Sequence, residues 1–279
     1  MAATRWKNLF KEFLGTVNRE LRISFTKSPR PEKWVFVVGC YNSGTTLLAE
    51  VLGQHPMISA LPVEGQYLTD QFPRDHEIGL SRMWVEREDI YRLTDTDTGP
   101  DVERLKREWA MRLNPRKPIY LEKTPANSAR MLWLQKNFEN AYFIAIVRNG
   151  YAVAEGITRK AKPIHRKDGW PLEMAARQWA RSNEVIFEDA KHINNFHWLT
   201  YENFTKDSEG EIRKIVNFLG LPDDAAIDLS KEWSVHERNE PITNLNSKSF
   251  SRLSEDDIDI IRSVAGPMLK HLNYYDDKG

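Results

Sequence analysis

The strongest chemical signal in the sequence is a glycine-containing loop at residues 39–46, Gly-Cys-Tyr-Asn-Ser-Gly-Thr-Thr. Its glycines have the G-x4-G-x-[ST] spacing of a phosphate-binding loop, and an apolar run precedes it as a strand would. In that arrangement, backbone N–H groups and a helix N-terminus converge on an anion. Thr45 stands where nucleotide triphosphatases carry lysine. The loop therefore predicts a site for an anion smaller than a triphosphate, held by backbone amides and the hydroxyls of Ser43, Thr45 and Thr46, without a metal.

A second candidate for anion binding is Arg148, which follows the apolar run from Tyr142 to Val147. Ligands of open α/β sheets collect at the carboxyl ends of the strands, and a guanidinium makes bidentate contacts with phosphate. The alternatives are an ordinary surface arginine here and a plain glycine-rich turn with a hydroxyl N-cap at 39–46. No cluster of Cys and His has the spacing of a metal site.

The elements that must position these residues alternate between strand and helix along the chain. Short apolar runs at 35–38, 119–121, 142–147 and 196–200 are typical of buried strands, and a strand-like stretch covers 57–61. Helical periodicity follows most of them, with longer helices predicted at 172–191 and 254–272. The predicted fold class is therefore α/β, with three layers and a mostly parallel sheet flanked by helices.

Residues 1–33 are predicted to be a basic amphipathic helix and linker, followed by an α/β domain at 34–279. Phe13, Val17 and Leu21 recur at helical spacing among basic residues, and Pro29 and Pro31 interrupt the helix. One hypothesis is that this helix packs against the domain or a partner chain. The other is that residues 1–30 make peripheral contact with an anionic membrane.

The composition excludes several classes of protein. The 279 residues carry 40 basic and 40 acidic side chains, and a chain of zero net charge is not a general nucleic-acid binder. The single cysteine, Cys40, forms no internal disulfide and fits a reducing compartment. No run approaches the roughly 20 apolar residues of a membrane span. We therefore expect a cytoplasmic protein that is at most peripheral to a membrane.

Several motifs extend the pattern of the loop along the chain, in a fixed order. They are Gly44-Thr45-Thr46-Leu47-Leu48, Glu122-Lys123-Thr124-Pro125, Ile146-Val147-Arg148-Asn149-Gly150, Thr200-Tyr201-Glu202-Asn203-Phe204 and a closing helix that ends at 269–274. Over residues 34–275 the chain resembles the sulfotransferases that use 3′-phosphoadenosine 5′-phosphosulfate (PAPS), including bacterial and tyrosylprotein-type members. The resemblance implies a P-loop NTPase-like fold, PAPS as donor and 3′-phosphoadenosine 5′-phosphate as product.

The resemblance also implies which residues bind the nucleotide. The loop receives the 5′-phosphosulfate, Arg148 and Lys160 the 3′-phosphate, and Tyr201 the adenine or a phosphate. The alternative for Tyr201 is a core tyrosine. Two positions depart from the family pattern, because Gly156 replaces a usual serine and Asn42 a common arginine or lysine. The expected nucleotide-binding residues are Tyr41, Asn42, Ser43, Gly44, Thr45, Thr46, Arg148, Gly156, Lys160 and Tyr201.

Two further residues are implied to carry the chemistry. Glu64 lies about where tyrosylprotein and related bacterial sulfotransferases have a glutamate, and it is the expected base that deprotonates the acceptor. Lys123 resembles the family lysine at the end of the second strand, which would put positive charge near the oxygen that bridges sulfate and phosphate. A surface carboxylate and a surface lysine are the alternatives.

The expected reaction is direct in-line transfer of a sulfuryl group from PAPS to a hydroxyl or, second in order, to an amine. The acceptor stays open among small molecules, glycans, lipids and peptides, and Trp84, Trp109 and Trp170 are expected to line its pocket. Oligomeric state is not predicted. Three alternatives compete: a binding module that has lost the chemistry, a P-loop phosphotransferase, and an interaction protein organised around the N-terminal helix.

Overall fold

A five-stranded parallel sheet forms the centre of the protein. The computed structural model describes residues 15–160, 169–222, 227–229, 233–235 and 238–277. The strands are β1 (Lys33–Val38), β2 (Ile58–Ala60), β3 (Ile119–Lys123), β4 (Ala141–Val147), β5 (Phe196–Thr200), β6 (Trp233–Val235) and β7 (Arg238–Glu240). The sheet has the order β2-β3-β1-β4-β5, while β6 and β7 form a separate antiparallel pair.

Helices connect the strands and cover the sheet. They are α1 (15–25), α2 (Thr45–Gly53), α3 (Glu88–Tyr91), α4 (Val102–Ala110), α5 (Met131–Asn137), α6 (Gly150–Lys160), α7 (Leu172–Ala190), α8 (Tyr201–Lys206), α9 (Ser208–Phe218), α10 (Asn246–Phe250) and α11 (Glu255–His271). Short 3-10 helices lie at Gly65–Tyr67, Trp84–Arg87 and Pro125–Arg130. Within the described ranges, no helix is both long and apolar enough to cross a bilayer.

The side chains of β1 separate the two faces of the sheet. Val35 and Val37 pack with the residues of α2 and α9, whereas Trp34, Phe36 and Val38 pack with those of α4 and α5. All five side chains are at most 2% exposed. Because a parallel strand is buried on both faces, it carries a continuous apolar run, and β1 can therefore be predicted from the sequence. The predicted three-layer α/β fold is confirmed.

The parallel register brings four chemically important strand ends to one edge of the sheet. Val37 of β1 pairs with Lys123 of β3 on one side and with Ile144 of β4 on the other. At the same edge, Val147 of β4 pairs with Thr200 of β5. The loop after β1, Lys123, Arg148 and Tyr201 therefore all emerge at the carboxyl edge, where ligands of such sheets bind.

Helix α1 is fixed to the domain by ion pairs. Arg104 of α4 donates to both carboxylate oxygens of Glu20 at 2.8 Å, and Arg19 donates to the buried Glu108 at 2.6 Å. Residues 26–32 are not helical, as Pro29 and Pro31 predict. The expected helical residues before position 15, such as Phe13, and the basic stretch 161–167 lie outside the described residues.

Candidate functional site

A cavity of about 450 Å³ opens at the carboxyl edge of the sheet. Six basic side chains but only two acidic ones line it, so its wall favours an anionic ligand. Two sequence-predicted residues, Ser43 and Lys123, are not in the wall. The ten that do line it are Tyr41, Asn42, Gly44, Thr45, Thr46, Glu64, Arg148, Gly156, Lys160 and Tyr201.

The loop between β1 and α2 has the geometry of an anion cradle. Gly44 has φ of 99°, and a Cβ there would come within 2.9 Å of the Tyr201 ring. A Cβ on Gly39 would lie 2.4 Å from the carbonyl oxygen of Ile146. Both glycines are therefore needed for the close approach of the loop to its neighbours. In this described region no side chain caps α2, which leaves N–H groups of its first turn available to a ligand.

Three polar groups of the loop have no hydrogen-bond partner within the described residues. They are the hydroxyl of Tyr41, the hydroxyl of Ser43, which is fully buried, and Nδ2 of Asn42. Buried polar groups are nearly always hydrogen-bonded in folded proteins, so unsatisfied ones beside a basic cavity fit an anionic ligand. The Ser43 side chain lies behind the wall, however, and its predicted direct contact with the ligand gains no support from this geometry.

Arg148 joins the end of β4 to the loop. Its Nη1 donates to the carbonyl oxygen of Asn42 at 2.9 Å, and its Nε donates to Oδ1 of Asn246 at 2.8 Å. The guanidinium also lies 4.2 Å from the ring centre of Tyr201, a cation–π distance. Burial lowers the pKa of Arg148. The phosphate-binding loop and Arg148, the two parts of the predicted nucleotide site, therefore line one cavity.

Asn246 is a site residue to which sequence reasoning assigned no role. Its Nδ2 donates to Glu202 at 2.6 Å, and Glu202 also accepts from the Tyr274 hydroxyl at 2.7 Å. This network fixes the Asn246 amide so that its oxygen faces Arg148. The sequence signal was indirect, because Glu202 lies in the Thr200–Phe204 motif whereas Asn246 belongs to a short helix with no distinctive periodicity.

Helix α6 carries Gly156 and Lys160 along one side of the cavity. A Cβ on Gly156 would meet the Asn42 amide at 3.4 Å, so the helix approaches the loop closely at this point. Lys160 as a whole is exposed, but its ammonium is partly buried. This burial is the larger cause, and repulsion from Arg159, Arg82 and Arg148 the smaller one, of a pKa lowered to about 8. Bound phosphate would relieve this repulsion between cations.

Glu64 and Lys123 form an ion pair beside the loop. Lys123 Nζ lies 3.0 Å from Glu64 Oε1, and Gln66 Nε2 donates to Oε2 of the same carboxylate at 3.0 Å. The side chains are 20% and 14% exposed for Glu64 and Lys123, respectively. Glu64 reaches the cavity wall, while Lys123 is connected to the cavity through Glu64. A carboxylate and an ammonium are thus held together at the edge of the cavity.

The backbone that carries Glu64 is held from behind by buried groups. Gly65 N donates to Oε1 of Glu122 at 2.9 Å, and Trp109 Nε1 donates to the Gly65 carbonyl oxygen at 3.0 Å. A Cβ on Gly65 would lie 2.7 Å from the Trp109 ring. Thr124 Oγ1 also donates to Glu122, but burial dominates and raises the pKa of this carboxyl to about 7. These contacts determine where Glu64 stands relative to the loop.

The expectation that three tryptophans line the acceptor pocket is wrong. Trp84 and Trp109 are fully buried and Trp170 is 5% exposed, and none of them is in the cavity wall. Their large apolar rings belong to the core, where burial gains most. The irregular region around them contributes other side chains to the wall instead, namely Tyr67, Asp75, Ser81 and Arg82.

The site combines an anion cradle and basic side chains around a single cavity with a carboxylate–ammonium pair at its edge. The described residues contain no group of three or more His, Cys, Asp or Glu side chains that could hold a metal. Transfer of a charged group between a nucleotide and an acceptor needs positive charge where negative charge develops, together with a base for the acceptor. Fold and site therefore define a group transferase built on a phosphate-binding loop.

Comparisons with known proteins identify the group that is transferred. The model of the sulfotransferase family matches residues 35–225, so the chain belongs to the sulfotransferase family, and the protein is a sulfuryl-transferring enzyme. It is 25% identical over 267 residues to protein-tyrosine sulfotransferase A of Caenorhabditis elegans, covering 88% of this chain and 68% of that protein. It is 23% identical over 261 residues to a protein-tyrosine sulfotransferase of Drosophila melanogaster, covering 86% of this chain and 51% of that protein.

Solved structures support the fold. The sulfotransferase domain from the curacin biosynthetic pathway superposes with a TM-score of 0.53 at 19% identity, covering 89% of this chain and 99% of that one. The sulfotransferase domain of the Synechococcus PCC 7002 olefin synthase gives a TM-score of 0.53 at 21% identity, covering 86% and 96%. The P-loop NTPase-like α/β fold expected from the sequence is thereby confirmed.

Proposed function

We propose that this sulfotransferase transfers the sulfuryl group of PAPS to the hydroxyl of a tyrosine in a peptide or protein, with Glu64 as the base. One observation carries the proposal. The Glu64–Lys123 ion pair, 3.0 Å long, stands beside the same cavity that the phosphate-binding loop and Arg148 line. Glu64 and the anion cradle thus face the same cavity, and Lys123 lies directly behind Glu64.

The residues around the cavity fit PAPS. The open N–H groups of the first turn of α2 would hold the 5′ end, with the hydroxyls of Thr45 and Thr46 beside them. Arg148 and Lys160 would hold the 3′-phosphate, and Tyr201 would contact the adenosine. PAPS supplies a sulfuryl group whose bond to the phosphate oxygen breaks as the acceptor oxygen bonds to sulfur, which leaves the 3′,5′-bisphosphate.

The ion pair links proton removal to charge stabilisation. In the described state the Lys123 ammonium is neutralised by Glu64. When Glu64 accepts the proton of the acceptor hydroxyl, its carboxylate becomes neutral and the charge of Lys123 is released. Negative charge develops on the leaving phosphate oxygen in the same step, and the freed ammonium stabilises it. Glu122 and Trp109 position Glu64 for this role through the backbone of Gly65.

A tyrosyl acceptor is supported by the curated relatives, two of which carry the name protein-tyrosine sulfotransferase. The chain spans 68% of the length of one of them and 51% of the other. A phenol has a pKa of about 10, so transfer near neutral pH needs a base such as Glu64. Small molecules, glycans and lipids are the alternative acceptors.

The test is transfer of radiolabelled sulfate from PAPS to a tyrosine-containing peptide. We expect Glu64→Gln to lower turnover by about 10²- to 10⁴-fold, because the variant keeps the shape of the side chain but cannot accept a proton. Glu209→Gln, which removes an exposed carboxylate of α9, is the matched control and should keep wild-type turnover. Full activity of Glu64→Gln would disprove its role, and equal labelling of the corresponding phenylalanine peptide would disprove the acceptor.

We also propose how the chain is divided into segments and where in the cell it acts. We assign residues 1–33 to a segment ahead of a sulfotransferase domain at 34–279, supported by the start of the family match at residue 35. A cytoplasmic location rests on the single, buried Cys40. Peripheral contact with an anionic membrane rests on the exposed apolar stripe of Val17, Leu21 and Phe25 in α1.

A further inference from the structure

The two positions at which the chain departs from the family pattern touch each other. A Cβ on Gly156 would lie 3.4 Å from Cγ and from Nδ2 of Asn42, so the Asn42 amide packs against the space that a serine would use. Asn42 has φ of 64°, a left-handed conformation that asparagine tolerates better than most residues. The two departures therefore form one local arrangement instead of two separate losses.

Arg82 is the third member of this arrangement. Its Nη1 donates to Oδ1 of Asn42 at 3.0 Å, although the residues are 40 positions apart, and it lies in the cavity wall. The guanidinium has five N–H donors, and its contact with a neutral amide leaves its charge uncompensated by that partner. Among the residues that the structure describes, no carboxylate forms an ion pair with this half-buried guanidinium, so beside the anion cradle it is available to a negatively charged ligand.

The backbone of Arg82 is held in an unusual conformation. Its φ is 61°, in the left-handed region that residues with a long side chain rarely adopt. Two hydrogen bonds fix it: Arg82 N donates to Asp75 Oδ2 at 3.1 Å, and Trp170 Nε1 donates to the Ser81 carbonyl oxygen at 2.8 Å. Strain that the surroundings maintain is typical of residues whose side chain is directed at a functional site.

We infer that Arg82 is a catalytic residue that supplies, from the segment between β2 and α3, the positive charge that position 42 lacks. It would contact the anionic group in the loop, with Asn42 Oδ1 setting the direction of the guanidinium. The inference rests on the proposed function, because it assumes that the cavity binds PAPS. The lowered pKa of Lys160, to which Arg82 contributes, agrees with cations gathered around one anion site.

The test uses the sulfate-transfer assay with the full chain. We expect Arg82→Met to lower turnover by about 10²- to 10³-fold, the loss typical of removing one electrostatic contact from a transition state. If Arg82→Met does not fold, Arg82→Gln replaces it, since Gln keeps a donor for Asn42 without the charge. Arg177→Met is the matched control, because Arg177 pairs with Glu86 on the surface outside the cavity. This control should keep wild-type turnover.

A charge swap separates catalysis from a structural role. Adding Asn42→Arg to Arg82→Met returns the charge to the loop, and we expect it to recover at least about tenfold of the lost turnover. A structural role for Arg82 would give no recovery. Wild-type turnover in Arg82→Met, or no recovery in the double variant, would overturn the inference while the proposed function stands. Absence of transfer by the wild-type protein would instead overturn the proposed function and this inference with it.

Discussion

At the scale of single residues, the site depends on how buried groups hold exposed ones. The proposed role of Glu64 as the base requires that its backbone be fixed, and the contact between Gly65 N and Glu122 at 2.9 Å fixes it. Glu122 is fully buried, and burial raises its pKa to about 7. The stability of the protein should therefore depend on the protonation of a buried residue that does not line the cavity.

The pH dependence of stability tests this description of Glu122. The pKa of the Glu122 carboxyl is higher in the folded state than in the unfolded state. Its contribution to stability is therefore fully present at pH values below the unfolded-state pKa and is lost as the pH rises through the folded-state pKa. Between about pH 4.5 and pH 7 the wild type should thus lose up to about 3 kcal/mol of unfolding free energy relative to Glu122→Gln. Urea unfolding of both proteins at several pH values measures the difference. Glu139→Gln, which removes an exposed carboxylate, is the control, and a pH-independent difference for Glu122→Gln would contradict the assignment.

At the scale of elements, the strands and helices that the sequence predicts are those with a regular apolar pattern. Segments without such a pattern are the ones it misses. Strands β1 and β4 have continuous apolar runs because both their faces are buried, so their ends, and with them the loop and Arg148, are predictable. Arg82 and Asn246 come from segments without a long periodic pattern, and only tertiary contacts bring Arg82 to the cavity and Asn246 to Arg148. The tryptophans were misplaced for a related reason, because an irregular stretch does not show which side chains face inward.

Helix α1 exposes apolar side chains on one face, with basic residues beside them. Phe25 is 84% exposed and Leu21 50%, while Arg22, Lys27 and Arg30 are exposed around them. We expect the full chain to sediment with phosphatidylserine vesicles, less so at high salt, because apolar insertion and charge attraction act together. The double variant Leu21→Asp, Phe25→Asp should lose this binding. Ile260→Asp, at an apolar position of α11 that is 41% exposed, should keep it, and equal sedimentation of all three proteins would argue against membrane contact.

At the scale of the whole molecule, the parallel sheet unites parts of the chain that are remote in sequence. Residues from the loop after β1, from α6 and from α8 line one cavity, and the segments at 64–82 and 241–252 add to its wall. The parallel fold and the meeting of strand ends were predictable, since they need only the order of the elements. The set of basic side chains that line the cavity was not predictable, because it depends on how irregular segments pack over the sheet.

Binding of adenosine 3′,5′-bisphosphate to the full chain, measured by titration calorimetry, tests the whole account most directly. We expect one nucleotide per chain, and binding at least about tenfold weaker in Arg148→Met, because a half-buried guanidinium that contacts the loop is lost. Arg213→Met, which removes an exposed arginine of α9, should bind like the wild type. No binding to the wild-type protein, or equal affinity in the Arg148→Met variant, would contradict a nucleotide site between the loop and Arg148.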